Sequence, residues 1–141
     1  MTEQLSPLAL QALAVVEESG AIINANHAHP HTIRHKGRID LVTETDIAVE
    51  AFLKERLATL APQAGFLAEE SAEDLSLPDT CWIIDPVDGT TNFAHGLPLT
   101  VTSVAYRLNG EIVLGIVNAP LLRECFIAEK GKGAWRNGER I

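Results

Sequence analysis

The segment Trp82-Ile83-Ile84-Asp85-Pro86-Val87-Asp88-Gly89-Thr90-Thr91-Asn92-Phe93 decides how the rest of the chain folds. It opens on a run of β-forming apolar residues, so residues 82–84 read as a buried strand that delivers Asp85 at its end. A second carboxylate, Asp88, follows three residues later, with Pro86 setting a turn between them. Gly89 permits a tight backbone, and Thr90-Thr91 offer hydroxyl and N–H groups where a helix starts. Carboxylates beside a backbone carbonyl suit a hard, oxygen-seeking cation such as magnesium. N–H groups at a helix start suit a phosphate. An isolated Asp-Gly would be no more than an Asx-turn and a helix cap. The full string describes metal-assisted phosphate chemistry.

Upstream of it, Ser6-Pro7 marks a helix start, with the hydroxyl at the N-cap and proline at the first helical position. Leu8, Ala12, Val15, Val16 and Ser19 then recur at helical spacing, which predicts a helix to about Ala25. A polar stretch with His27, His29, His31 and His35 follows; residues 32–34 read as a short strand and residues 36–38 as a turn. The histidines alternate as on one strand face. Imidazole suits zinc or nickel, however, and the carboxylate segment calls for an oxygen-bound ion, so they read as a solvated helix end and loop. Thr43-Glu44-Thr45-Asp46 has the form of a capping box, and Ile47, Ala51, Leu53, Leu57 and Leu60 come after it, predicting a second helix over 44–60. Gly65-Phe66-Leu67-Ala68 is a short buried strand delivering Glu69 and Glu70. Residues 71–80 form an exposed loop.

Downstream, residues 99–106, 111–118 and 123–128 are β-rich runs, the first two joined by Asn109-Gly110, a strong hairpin signal. Gly131-Lys132-Gly133 turns into Ala134-Trp135-Arg136, and Asn137-Gly138 makes one more turn. Two helices followed by an antiparallel meander predict an α+β layered domain. The last strand signals sit against Ile141, so the chain reads as cut within a larger fold.

Composition narrows the partners. The chain has 141 residues, 46% hydrophobic and 21% charged, which is material for one packed core. Eleven basic against nineteen acidic residues leave a net charge of −8, which repels nucleic acid and anionic membranes. No run approaches the roughly 20 apolar residues of a membrane span, and the N-terminus lacks a basic leader. Cys81 and Cys125 are too few for a disulfide framework and read as small apolar residues in a reducing cytoplasm.

The twelve-residue string resembles the signature of the inositol monophosphatase family, Trp-x-x-Asp-Pro-(Ile/Leu/Val)-Asp-Gly-Thr-(Thr/Ser)-Asn-Phe. Asp40-Leu41-Val42-Thr43-Glu44-Thr45-Asp46 is similar to the family's Asp-Leu-Val-Thr-x-x-Asp. Ala68-Glu69-Glu70-Ser71 is similar to its Gly-Glu-Glu-Ser, with alanine for glycine, and Gly131-Lys132-Gly133-Ala134 matches a late turn. The resemblance implies the N-terminal α/β layered domain of the sugar-phosphatase (αβαβα sandwich) fold, two helices packed on a largely antiparallel sheet. It also implies a magnesium cofactor, with manganese as a substitute, and lithium sensitivity. Glu69, Asp85 and the carbonyl of Val87 would hold a first magnesium, and Asp85 with Asp88 would reach a second, for water activation by two or three metals. Thr90 would orient the attacking water, with Asp46 hydrogen-bonded to it and Glu69 as a further catalytic residue. Asp88, Gly89, Thr90 and Thr91 would bind the phosphate.

The implied activity is hydrolysis of a small phosphorylated metabolite in the cytoplasm, inositol 1-phosphate first, by a protein that is a homodimer when full length. Threonine at position 91 sides with that substrate; relatives acting on 3′-phosphoadenosine 5′-phosphate more often carry lysine there, and those acting on histidinol phosphate often arginine. Fructose 1,6-bisphosphate is a further alternative substrate. Family members also continue for a second half bearing a Trp-Asp-x-Ala type motif. The acids after Asp88 (Glu111, Glu124, Glu129 and Glu139) lie in no such context. Residues 1–141 therefore read as the N-terminal metal- and phosphate-binding domain alone, with a non-catalytic, metal- or partner-binding chain as the alternative.

Overall fold

A computed structural model describes residues 3–27, 38–68 and 78–141. Its elements run α1 (Pro7–His27), α2 (Arg38–Leu60), β1 (Gly65–Ala68), β2 (Cys81–Asp88), α3 (Thr90–Ala94), β3 (Val101–Leu108), β4 (Glu111–Ala119), a 3₁₀ turn (Pro120–Leu122), β5 (Glu124–Glu129), β6 (Gly133–Arg136) and β7 (Glu139–Arg140). The seven strands form one sheet in sequence order, β1 to β7. Only β1 and β2 pair in parallel; the other neighbours are antiparallel. This is the predicted α+β layered architecture.

Alternation along the strands gives the sheet two unlike faces. Trp82, Ile84, Val104, Tyr106, Leu114, Ile116, Cys125, Ile127 and Trp135 are buried together with one face each of α1 and α2. The opposite face carries Ile83, Ala105, Gly115, Ala128 and Ala134 in one cross-strand row, and Asp85, Ser103, Val117, Phe126 and Arg136 in the next. Both Asn-Gly steps close hairpins, with φ 51° and 84° at Asn109-Gly110 and 48° and 82° at Asn137-Gly138, the paired positive angles that a tight hairpin turn needs.

α1 begins as its sequence dictates. The Ser6 hydroxyl accepts the Ala9 N–H at 3.2 Å, and Ser6 also donates its N–H and its hydroxyl to the Glu129 carboxylate at 2.8 and 2.5 Å. Its buried face is Ala9, Ala12, Val16, Ser19 and Ile23 with their neighbours. By length and mean hydropathy alone (21 residues, 1.3) α1 reaches the range of a membrane-spanning helix, contrary to the sequence expectation. Its alanines, valines and isoleucines raise the average; Ala9, Ala12, Val15, Val16 and Ile23 are packed, while Ala14, Ala21 and Ala25 are exposed.

α2 corrects the capping-box expectation. The helix starts at Arg38, so Thr43 to Asp46 lie within it rather than at its cap. The residues 38–43 include no proline or glycine to stop it. The buried stripe is Thr45, Val49, Leu53 and Leu57, each fully buried and four residues apart, and Asn26 of α1 donates to the Thr45 hydroxyl at 2.6 Å. Ile47 and Ala51, read from sequence as core-facing, are exposed because they sit about 200° around the helix from positions 45 and 49. The expected strand over 32–34 lies outside the described residues, as do residues 36 and 37 of the turn expected over 36–38; its last residue, Arg38, is helical instead.

Candidate active site

β2 does not stop at Ile84 as expected; it continues to Asp88 through an irregularity. Asp85 pairs with Ser103 and Asp88 with Val101, so three steps along β2 are matched by two along β3. One extra residue is a β-bulge. Its consequence follows from the period of a strand: residues three apart ordinarily point to opposite faces, and an inserted residue returns them to the same one. Ser103 and Val101 share a face of β3, so their partners Asp85 and Asp88 share the corresponding side of β2. Pro86 explains why the bulge falls there, since it has no N–H to give the ladder.

The two carboxylates differ in surroundings. Asp85 is half-buried, with one carboxylate oxygen sealed from solvent, beside an open groove of about 200 Å³ whose other walls include Leu67, Ile83, Ser103 and Ala105. Asp88 is exposed, and Val87 between them is buried. A half-buried carboxylate beside largely apolar walls and an exposed one next to it form a graded oxygen donor set that suits a hard divalent cation. Among the described residues no three His, Cys, Asp or Glu side chains gather as a metal site. The third expected carboxylate, Glu69, follows β1 directly and lies outside the described residues, as does Glu70.

After Asp88 the backbone turns on Gly89, whose φ of 90° and ψ of 38° place it in the left-handed region. A Cβ here would also lie 2.6 Å from the Leu99 carbonyl oxygen, so glycine is required twice over. The Gly89 carbonyl accepts the Phe93 N–H at 2.9 Å and starts α3, as predicted, at Thr90. Thr90 and Thr91 are exposed on its first turn, while Phe93, 3% exposed, anchors the helix in the core. First-turn N–H groups have no acceptor within their own helix. Asn92 donates its side-chain amide to the Leu99 carbonyl at 3.0 Å, tying the following loop beneath this turn. β3 accordingly begins at Val101, two residues later than expected.

Asp46 is half-buried on α2, which packs against α3, the helix that carries Thr90. His27 ends α1 with its Nε2 3.2 Å from the Gly96 carbonyl and its ring 6.3 Å from that of Phe93. It braces the loop behind α3. His29, His31 and His35 lie outside the described residues.

Reasoning from sequence missed Thr102, whose hydroxyl donates to the Pro86 carbonyl at 2.8 Å. A proline inside a strand run was the available signal, because the bulge it implies displaces a carbonyl from the ladder. The thiols stand apart from this region. Burial and the nearby Glu17 carboxylate push Cys125 up to about 12, and burial, opposed by Arg107, raises Cys81, so both stay protonated and unreactive.

The model of the "Inositol monophosphatase family" matches residues 4–141. An inositol monophosphatase of Dictyostelium discoideum is 46% identical over 134 residues, covering 92% of this chain and 49% of that protein. The fructose-1,6-bisphosphatase/inositol-1-monophosphatase of Thermotoga maritima is 46% identical over 102 residues, 72% of this chain and 39% of that protein. The solved structure of a staphylococcal IMPase-II superposes with a TM-score of 0.81 at 28% identity, covering 96% of this chain and 49% of that one. The chain spans about half the length of the relatives it matches.

Proposed function

Since the chain belongs to the inositol monophosphatase family, we propose that it is the N-terminal, metal- and phosphate-binding half of a magnesium-dependent phosphomonoesterase acting in the cytoplasm on inositol 1-phosphate. The observation that carries this reading is the bulge that brings Asp85 and Asp88 to one side of β2, immediately before the Gly89 turn. The chemistry a hard divalent cation supplies in such a site is polarisation of the ester and activation of water.

Each residue then has a task. Asp85, Asp88, the Val87 carbonyl and Glu69 hold the cation. Magnesium or manganese fits this all-oxygen set better than zinc. The N–H groups of Gly89, Thr90 and Thr91 hold the phosphate oxygens, aided by the positive end of α3. The Thr90 hydroxyl orients the attacking water, and Asp46 accepts a hydrogen bond from that hydroxyl.

The test is a panel assay of the chain alone and of the chain joined to the C-terminal half of a relative. Inositol 1-phosphate, fructose 1,6-bisphosphate, 3′-phosphoadenosine 5′-phosphate and histidinol phosphate are offered with magnesium and with excess chelator. Magnesium-dependent turnover of inositol 1-phosphate, ahead of the other three, is expected of the joined protein. Equal turnover in chelator contradicts the metal reading, and preference for another ester replaces the substrate.

A further inference from the structure

We propose that Thr102 is a positioning residue for the metal site: its hydroxyl locks the β2 bulge in the one shape that lets Asp85, Val87 and Asp88 hold a cation together. This rests on the metal reading above and extends it to a residue on a neighbouring strand.

Two threonines break the apolar pattern at the start of β3. Thr100, Thr102, Val104 and Tyr106 alternate on the helix-covered face, and all four are buried. The two apolar positions give way to threonines beside the bulge. A buried hydroxyl is costly without a partner, and valine would fill the same space without that cost. The buried Thr100 hydroxyl has no partner within the described residues. Thr102 differs: it is fully buried, and its hydroxyl donates to the Pro86 carbonyl at 2.8 Å.

That carbonyl needs such a donor. The ladder pairs Asp85 with Ser103 and Asp88 with Val101, which leaves Pro86 and Val87 as the unmatched step. The Pro86 residue itself is buried, so water is a poor substitute. Holding the Pro86 carbonyl fixes the plane of the Pro86–Val87 peptide. It thereby restrains φ of Val87, the torsion that leads into the Val87 carbonyl and the Asp88 backbone. Without the hydroxyl, that peptide is free to rotate in search of another donor, and the three donors lose their common aim. A partner that orients metal ligands typically affects affinity 10–100-fold.

The test is titration of the metal-free chain with Mn²⁺, following the electron paramagnetic resonance signal of the free ion, alongside the melting temperature in chelator. Thr102→Val is expected to weaken Mn²⁺ binding about tenfold or more, and Asp85→Asn by more. Thr102→Ser and Thr102→Ala form a second pair that differs only in the hydroxyl, and it decides the matter if the valine variant does not fold. Serine is expected to bind within about threefold of wild type and alanine about tenfold or more weaker. Equal binding by the serine and alanine variants, while Asp85→Asn loses the metal, overturns the role of Thr102 and leaves the site standing. Wild-type binding by Asp85→Asn overturns the metal reading and this proposal with it.

Discussion

Strands β3 to β6 and the stretch from Asp85 to Phe93 are neighbours in one sheet, and they obey different rules. In the meander, residues alternate between the helix-covered and open faces, interrupted by one register slip between Tyr106 and Arg107 next to the first hairpin, and the hairpin turns at Asn109-Gly110 and Asn137-Gly138 use residues that tolerate positive φ. In the Asp85 stretch a proline sits inside a strand, the register slips by one, and a glycine takes a left-handed turn against a carbonyl. The meander satisfies most of its backbone by the ladder, with the Asn137 side chain serving the Cys125 N–H and the Arg123 carbonyl at a hairpin end. The Asp85 stretch needs help from side chains, from Thr102 to Pro86 and from Asn92 to Leu99. Departure from local rules is expected where chemistry is done. Here it has a definite product, two carboxylates on one side of a strand that plain alternation would have separated.

The largest effect that sharpens this contrast is on turnover. In the chain joined to a relative's C-terminal half, Asp85→Asn is expected to reduce phosphomonoester hydrolysis about 100-fold or more while leaving the melting temperature nearly unchanged, because it removes the charge proposed to hold the metal and no packing. Steady-state rates and a thermal scan on the same sample check it. A loss of fold equal to the loss of rate would make Asp85 structural.

Gly89→Ala comes next and should damage both properties. The new Cβ meets the Leu99 carbonyl at 2.6 Å and the residue sits at φ 90°. A cost of about 2 kcal/mol or more is expected, read as a drop of roughly 6 °C or more in melting temperature. An unchanged melting temperature would mean that the turn relaxes freely.

In the regular region, substitutions should touch stability and nothing else. Asn137 accepts the Cys125 N–H at 2.8 Å, donates to the Arg123 carbonyl at 3.1 Å, and adopts φ 48°. Asn137→Ala is expected to cost about 1–2 kcal/mol in denaturant unfolding, with Mn²⁺ affinity unaltered. A matching fall in metal affinity would erase the distinction between the two regions.

Much of the regular region was legible from residues alone. Ser6-Pro7 starts a helix because both residues act within one turn, and an Asn-Gly step forms a hairpin because its φ preferences are local. The site was legible as a string, but its geometry was not. The same Pro86 that read as a turn between two acids proves to be a bulge within a longer strand, and that depends on a partner sixteen residues away, Thr102. The start of α2 failed for a related reason. The Thr43–Asp46 string has the composition of a cap, yet Thr45 is claimed by Asn26 of another helix, nineteen residues distant. Likewise nothing near Ser6 announces that Glu129, 123 positions on, will hold it. Pairings between elements are settled by packing, which a local pattern does not contain.

The smallest expected effect lies outside both regions, at Glu17. Burial pushes its carboxyl above the usual glutamate range, and a hydrogen bond from Cys125 partly offsets this. A raised carboxylate means that the folded state holds the proton more tightly than the unfolded one. Its contribution to stability is therefore fully present below the ordinary glutamate range and is lost as pH rises through the raised value. Glu17→Gln should match wild type near pH 4 and melt slightly higher near pH 7. Thermal scans across that window check the sign, and an advantage confined to low pH would reverse it.

The central claim is that the bulge makes Asp85 and Asp88 partners toward one cation. A double-mutant cycle in Mn²⁺ affinity tests it most directly, comparing the wild-type chain with Asp85→Asn, Asp88→Asn and the pair. If the two carboxylates share an ion, each single substitution weakens binding about tenfold or more and the double falls well short of the product of the two losses. Independent, multiplying losses, or binding untouched by either substitution, would contradict a shared site.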